Sequence, residues 1–120
     1  MGLITSIGND RESVTKSLIN LQHGIENPPE LQVDESPVKV AGTVKDFNLD
    51  SPDPEDWEYP TKYKVPRATI RSFSPHVLYA WCALQQAIQD AELTNDELQD
   101  SECGLYSSSG GSMRSIHKHF

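Results

Sequence analysis

Strand-like and helix-like patterns alternate along this chain of 120 residues, which places it in the α/β class. Three observations carry that reading. Val38, Val40, Gly42 and Val44 alternate with Lys39, Ala41, Thr43 and Lys45, the period of a half-buried strand. Val77, Trp81, Leu84, Ile88 and Ala91 recur at helical spacing, which predicts a helix over residues 75–92. Short apolar runs at residues 1–8 and 103–107 each open into a Gly- or Ser-rich turn.

The elements follow in order. Gly2 and Gly8 bracket Leu3, Ile4 and Ile7, a strand end running into a tight turn. Asn9 as N-cap with Glu12 three residues on predicts a capping box opening a helix over residues 10–22. Val14, Leu18 and Leu21 mark its apolar face, and Gly24 is placed to end it. Pro28, Pro29 and Pro37 make residues 25–37 a loop. Arg67 and Arg71 are four apart, so one helical turn places both on one side with Ile70 directed inward. Ser74-Pro75 starts the long helix, with Ser at N-cap and Pro at N1. Ala80, Ala83 and Ala87 widen its stripe with small side chains suited to close packing. A short capped turn over 95–98, a strand over 103–107 and a turn over 108–112 complete the reading.

Composition bounds the function. The length suits one small domain, yet apolar residues make up only 36% of it, low for a self-contained globule. The net charge of -8 disfavours nucleic acid, because phosphate binding needs a basic surface. Local basic patches for an acidic partner remain open. No apolar run reaches the roughly 18 residues of a membrane span, and the N-terminus lacks a signal-peptide pattern. A soluble, cytoplasmic protein is expected, with no membrane partner. Cys82 and Cys103 have neither zinc nor disulfide-framework spacing and read as reduced core thiols.

Candidate chemistry is sparse. Residues 46–60 interleave Asp46, Asp50, Asp53, Glu55, Asp56 and Glu58 with Pro52, Pro54 and Pro60. A divalent-metal site is one reading and a solvated, acidic, Pro-rich surface loop the other. The loop is preferred, because Pro resists the turn geometry of metal loops and no Gly sits where such a loop bends. Ser109-Gly110-Gly111-Ser112 has exposed amides able to cradle an anion, but lacks GxGxxG spacing or a GK[ST] ending, so close packing is the simpler role. His117 and His119 make a poor metal pair by themselves, and a frayed terminus is the default. Neither metal nor cofactor is expected.

Five segments, in order, resemble one family. Gly2-Leu3-Ile4-Thr5-Ser6-Ile7-Gly8-Asn9, the stretch from Leu18 to Gly24-Ile25, Val40-Ala41-Gly42-Thr43-Val44-Lys45-Asp46-Phe47, Ala80 through Leu93 (ending Ala87-Ile88-Gln89-Asp90-Ala91-Glu92-Leu93) and Gly104 to Gly111 are similar to the β-ketoacyl-[acyl-carrier-protein] synthases. The resemblance implies an incomplete, partial thiolase-like fold. Residues 1–120 would be the start of the first half of its α/β/α/β/α domain. It implies an acyltransferase of fatty acid biosynthesis and lipid metabolism. In that chemistry a Cys thiolate takes the acyl group as a thioester, malonyl-carrier protein loses CO2, and the enolate attacks the thioester carbonyl and expels the thiolate. Acyl and malonyl thioesters would be substrates of the full-length protein, which would form a homodimer.

The resemblance also implies what this stretch lacks. The nucleophilic Cys and the catalytic His residues would lie beyond Phe120, leaving the fragment inactive by itself. Ser108 stands where the family has Gly, and Glu92 stands at the Gly of its "DAGL" helix end. Arg67 and Arg71, with Lys64 as a weaker candidate, fall where the family's basic patch meets the acidic acyl carrier protein. Ser109, Gly110 and Gly111 would wall the acyl pocket. An alternative is a fragment of a non-catalytic, chain-length-factor-like partner subunit of a polyketide or fatty acid synthase.

Overall fold

The computed structural model describes residues 1–109. The chain divides into two compact units: an N-terminal unit, Leu3–Asp46, and a helical unit, Met1–Gly2 together with the chain from Phe47 onward.

The N-terminal unit opens on a tight turn, with the Thr5 amide donating to the Gly8 carbonyl at 2.9 Å. Helix α1 spans Arg11–Ile19 and its N-cap is Asp10, one residue later than expected. The Ser13 amide donates to Asp10 Oδ1 at 2.7 Å, and the Asp10 amide donates to Ser13 Oγ at 3.3 Å. Asn9 is engaged elsewhere: its amide donates to the Lys45 carbonyl at 2.7 Å. The neighbouring carboxylate, suited to a helix N-terminus, takes the cap.

The helix also stops sooner than its apolar spacing indicates. Leu21 takes a left-handed φ of 53°. Its amide donates to the Leu18 carbonyl at 3.2 Å, and the Gln22 amide to the Ser17 carbonyl at 2.8 Å. That pair of bonds is the Schellman ending, with Leu in the place usually held by Gly. Gly24 has a different role. A Cβ there would lie 2.2 Å from the Ser6 carbonyl oxygen, so its smallness admits a close backbone approach.

Strands β1 (Ile25–Glu26) and β2 (Ala41–Gly42) pair antiparallel, with Ile25 opposite Gly42 and Glu26 opposite Ala41. The expected strand over 38–45 is therefore cut to two residues, and the expected loop over 25–37 supplies its neighbour. A ladder runs only as far as its partner does, and Val38 and Val40 are left exposed. Thr43 Oγ1 and Lys45 Nζ both donate to the Glu26 carboxylate, which ties the two segments together through side chains.

The helical unit holds the core. Trp57, Tyr63, Ile70, Phe73, Leu78 and Cys82 are buried. Helix α2 is one turn, Arg67–Ile70, and helix α3 spans Pro75–Asp90 with Ser74 as N-cap and Pro75 at the first position. The Ser74 side chain makes no capping bond, so its extended backbone and the Pro set the start. The expected stripe is rotated by one position. Val77 is 44% exposed, whereas Leu78 and Cys82 are fully buried at i and i+4. Trp81, Leu84 and Ile88 are half-buried. Phe73 packs on Trp81 with ring centroids 5.7 Å apart, and Phe47 meets Tyr79 edge-on at 5.2 Å.

Helix α3 ends as α1 does, two residues short of the predicted 92. Glu92 has a φ of 55°. Its amide donates to the Gln89 carbonyl at 3.1 Å and the Leu93 amide to that of Ile88 at 3.2 Å. Glu92 thus occupies a left-handed position at the site where the resembled family has Gly. Helix α4, Asn95–Leu98, is the short capped turn expected: the Glu97 amide donates to Thr94 Oγ1 at 3.3 Å and the Thr94 amide to Glu97 Oε2 at 2.8 Å.

Two expectations near the C-terminus are corrected. Residues 103–107 form no strand, and Leu105 and Tyr106 are exposed; among the described residues no strand lies beside them. Cys103 is exposed, not a core thiol. No helix among the described residues is long and apolar enough to cross a membrane.

Candidate functional site

The basic pair is built on a single helical turn. Pro66 precedes α2, and its carbonyl accepts from the Thr69 amide at 2.9 Å and the Ile70 amide at 3.0 Å. Ile70, 5% exposed, anchors the turn inward. Arg67 at its start and Arg71 just past its end then share one side, and their side chains are 79% and 64% exposed. Lys64 is also exposed. Lys62 lies 5.1 Å from the centroid of the Tyr63 ring.

A third side chain joins the pair. Arg67 Nε donates to Glu55 Oε2, and Arg71 Nε donates to Glu55 Oε1. Glu55 sits in the acidic, Pro-rich segment, on a 3-10 turn over Pro54–Asp56. That turn has its own supports. The Glu55 amide donates to Asp53 Oδ1 at 2.9 Å, and the Asp53 amide to Ser51 Oγ at 3.1 Å. Buried Trp57 fixes the far side, donating from Nε1 to the Ser51 carbonyl at 2.9 Å. Glu55 is consequently only 13% exposed while both guanidiniums face solvent. Hydrogen bonds from Arg71 and then Arg67 hold its carboxyl below the ordinary carboxylate range. The same carboxylate raises the Arg71 guanidinium further.

The structure places Arg67, Arg71 and Lys64 as exposed basic residues, with the two arginines on one side. The sequence does not show Glu55 as the arginines' partner. The nearest sequence signal is Asp53-Pro54, a good turn start that predicts a bend at Glu55 but not what it reaches.

Chemically, the arrangement offers directed donors to an anion and no reacting group. Cys82 is fully buried, and burial pushes its thiol from 9.0 to about 11, the reverse of what an attacking thiolate requires. Of the expected acyl-pocket loop, Ser109 is exposed, while Gly110 and Gly111 lie outside the described residues, as do His117 and His119.

Comparison with known proteins covers nearly the whole chain. Residues 1–119 match the family model described as "Beta-ketoacyl synthase, N-terminal domain". The chain is 33% identical over 109 residues to 3-oxoacyl-[acyl-carrier-protein] synthase 1 of Haemophilus influenzae, covering 91% of this chain and 24% of that protein. It is 32% identical over 112 residues to 3-oxoacyl-[acyl-carrier-protein] synthase 1 of Escherichia coli K12, covering 92% and 24%. It is 28% identical over 110 residues to 3-oxoacyl-[acyl-carrier-protein] synthase 2 of Synechocystis, covering 92% and 24%. The chain thus spans about a quarter of the length of these relatives. No solved structure matches it significantly.

Proposed function

We propose, from the premise that this chain belongs to the β-ketoacyl synthase family as its N-terminal domain, that it serves decarboxylative condensation of an acyl thioester with malonyl-carrier protein. The observation that carries this reading is the family match over residues 1–119. The relatives quoted are named as synthases, which gives the non-catalytic partner reading no support.

Within the reaction these residues supply scaffold and docking surface. Arg67 and Arg71, assisted by Lys64, receive an acidic carrier protein. Their exposure and shared side suit an extended anionic surface, and such contacts raise association rate and respond to salt. Ser109 to Gly111 wall the acyl pocket in a thiolase-like fold. The full-length protein works as a soluble, cytoplasmic homodimer. The nucleophile comes from elsewhere in that protein: buried Cys82 is held as a thiol, and neither Cys82 nor exposed Cys103 falls at the position the family resemblance gives the nucleophile.

The test is direct. The full-length protein, given an acyl thioester and malonyl-carrier protein, forms the 3-oxoacyl-carrier product with release of CO2, whereas a polypeptide of these 120 residues forms none. Condensation by the 120-residue polypeptide would overturn the assignment of these residues to scaffold and docking.

A further inference from the structure

We infer that Glu55 is a positioning residue for the docking surface: it sits beneath Arg67 and Arg71 and fixes both guanidiniums in the pose that an acidic carrier protein meets. This rests on the docking reading above and adds a residue that lies in a different segment from the basic stretch.

The geometry distinguishes support from blockade. Each carboxylate oxygen of Glu55 takes one Nε, Oε2 from Arg67 and Oε1 from Arg71. The terminal Nη groups have no further acceptor among the described residues, so a partner's carboxylates reach them without displacing Glu55. Glu55 is 13% exposed and the arginines 79% and 64%, which sets the carboxylate behind the guanidiniums and away from an approaching partner. Its backbone is held by the Asp53 cap and by the turn that Trp57 anchors. A fixed carboxylate thus constrains two long, rotamer-rich side chains in advance.

Two effects oppose each other. Glu55 offsets one unit of positive charge, which by itself weakens attraction to an acidic partner. Against this, ordering each long side chain at an interface carries an entropic cost, and a pre-formed pose removes part of it for both. A carboxylate docked on the Nη groups stands within the roughly 8 Å screening length of Glu55, so the charge is felt and opposes docking. On the positioning account, ordering two side chains exceeds this cost, and the two accounts predict opposite signs on removing Glu55.

The experiment compares the full-length protein with its Arg67→Ala/Arg71→Ala, Glu55→Ala and Glu55→Gln variants. It reads affinity for labelled holo-acyl carrier protein by fluorescence anisotropy, steady-state KM and kcat with acyl-carrier substrate, and the thermal midpoint. The double arginine variant weakens binding at least tenfold. Both Glu55 variants weaken it roughly three- to tenfold, with the loss in KM and not in kcat. Unchanged or tighter binding by Glu55→Gln, with the double arginine variant still weakened, overturns the positioning role and leaves docking intact. An unaffected double arginine variant removes the docking reading and this inference with it. Should Glu55→Ala lower the thermal midpoint, the near-isosteric Glu55→Gln decides.

Discussion

The two units treat their apolar residues differently. In the helical unit, loop aromatics and a helix cover one another: Trp57, Tyr63 and Phe73 are buried along with Leu78 and Cys82 of α3. In the N-terminal unit, Val14 is the buried apolar residue of α1, while Leu18, Ile19 and Leu21 are 61%, 75% and 90% exposed. Ile25, Val38 and Val40 are exposed as well. Helical spacing of apolar residues is thus sufficient for a helix in both units. Burial follows where other parts of the chain meet the helix, as Phe73 does at Trp81 and Tyr63 at Gln86 of α3. The N-terminal unit is held instead by hydrogen bonds: the Asp10–Ser13 box, the Glu26 cluster and the short ladder.

The largest break in this contrast is Leu78→Ala. Leu78 has no exposed surface, so truncation removes buried methyl groups and leaves a cavity in the better-packed unit. A loss of about 2–5 kcal/mol is expected from urea denaturation of the chain. A loss under about 1 kcal/mol would mean that the core is not packed as described.

A smaller effect comes from pH. Burial raises the Cys82 thiol from 9.0 to about 11, so the unfolded chain ionises first. Its contribution to stability is complete below pH 9.0 and is lost as pH rises through about 11. Alkylation below that window modifies exposed Cys103 and spares Cys82 until the chain unfolds. Equal reactivity of the two thiols in the folded chain would show that Cys82 is not sealed in the core of the helical unit.

The smallest effect sharpens what the units share. Both α1 and α3 close with a non-Gly residue in the left-handed region, Leu21 at φ 53° and Glu92 at φ 55°. Leu21→Gly and Glu92→Gly should each raise stability by about 0.5–1 kcal/mol in thermal unfolding, because Gly carries no Cβ penalty there. Destabilisation at Leu21 alone would reveal packing that its 90% exposure does not indicate.

Local signals account for much of what was legible in the sequence. Ser74-Pro75 marks the start of α3, Thr94 with Glu97 marks α4, and the inward direction of Ile70 follows from helical spacing. Each depends on residues within one turn of each other. Where the sequence misleads, a distant group intervenes. Asn9 is drawn to Lys45, leaving the cap to Asp10. Gly24 answers to Ser6 rather than to the helix end. The buried line of α3 passes through Leu78 and Cys82, while Phe73 and Tyr63 from outside the helix meet Trp81 and Gln86 of α3.

The same division runs through the candidate site. The amino-acid sequence by itself determined the family, the helix starts and the common side of Arg67 and Arg71, since spacing and motif order are properties of the chain alone. Tertiary structure decided that Glu55, 12 and 16 residues upstream, lies beneath both guanidiniums. It also decided that Cys82 is sealed and Cys103 open. Pairing across a loop depends on where two segments return to each other. Chain spacing does not encode that return, whose two segments each carry a buried anchor, Trp57 and Ile70.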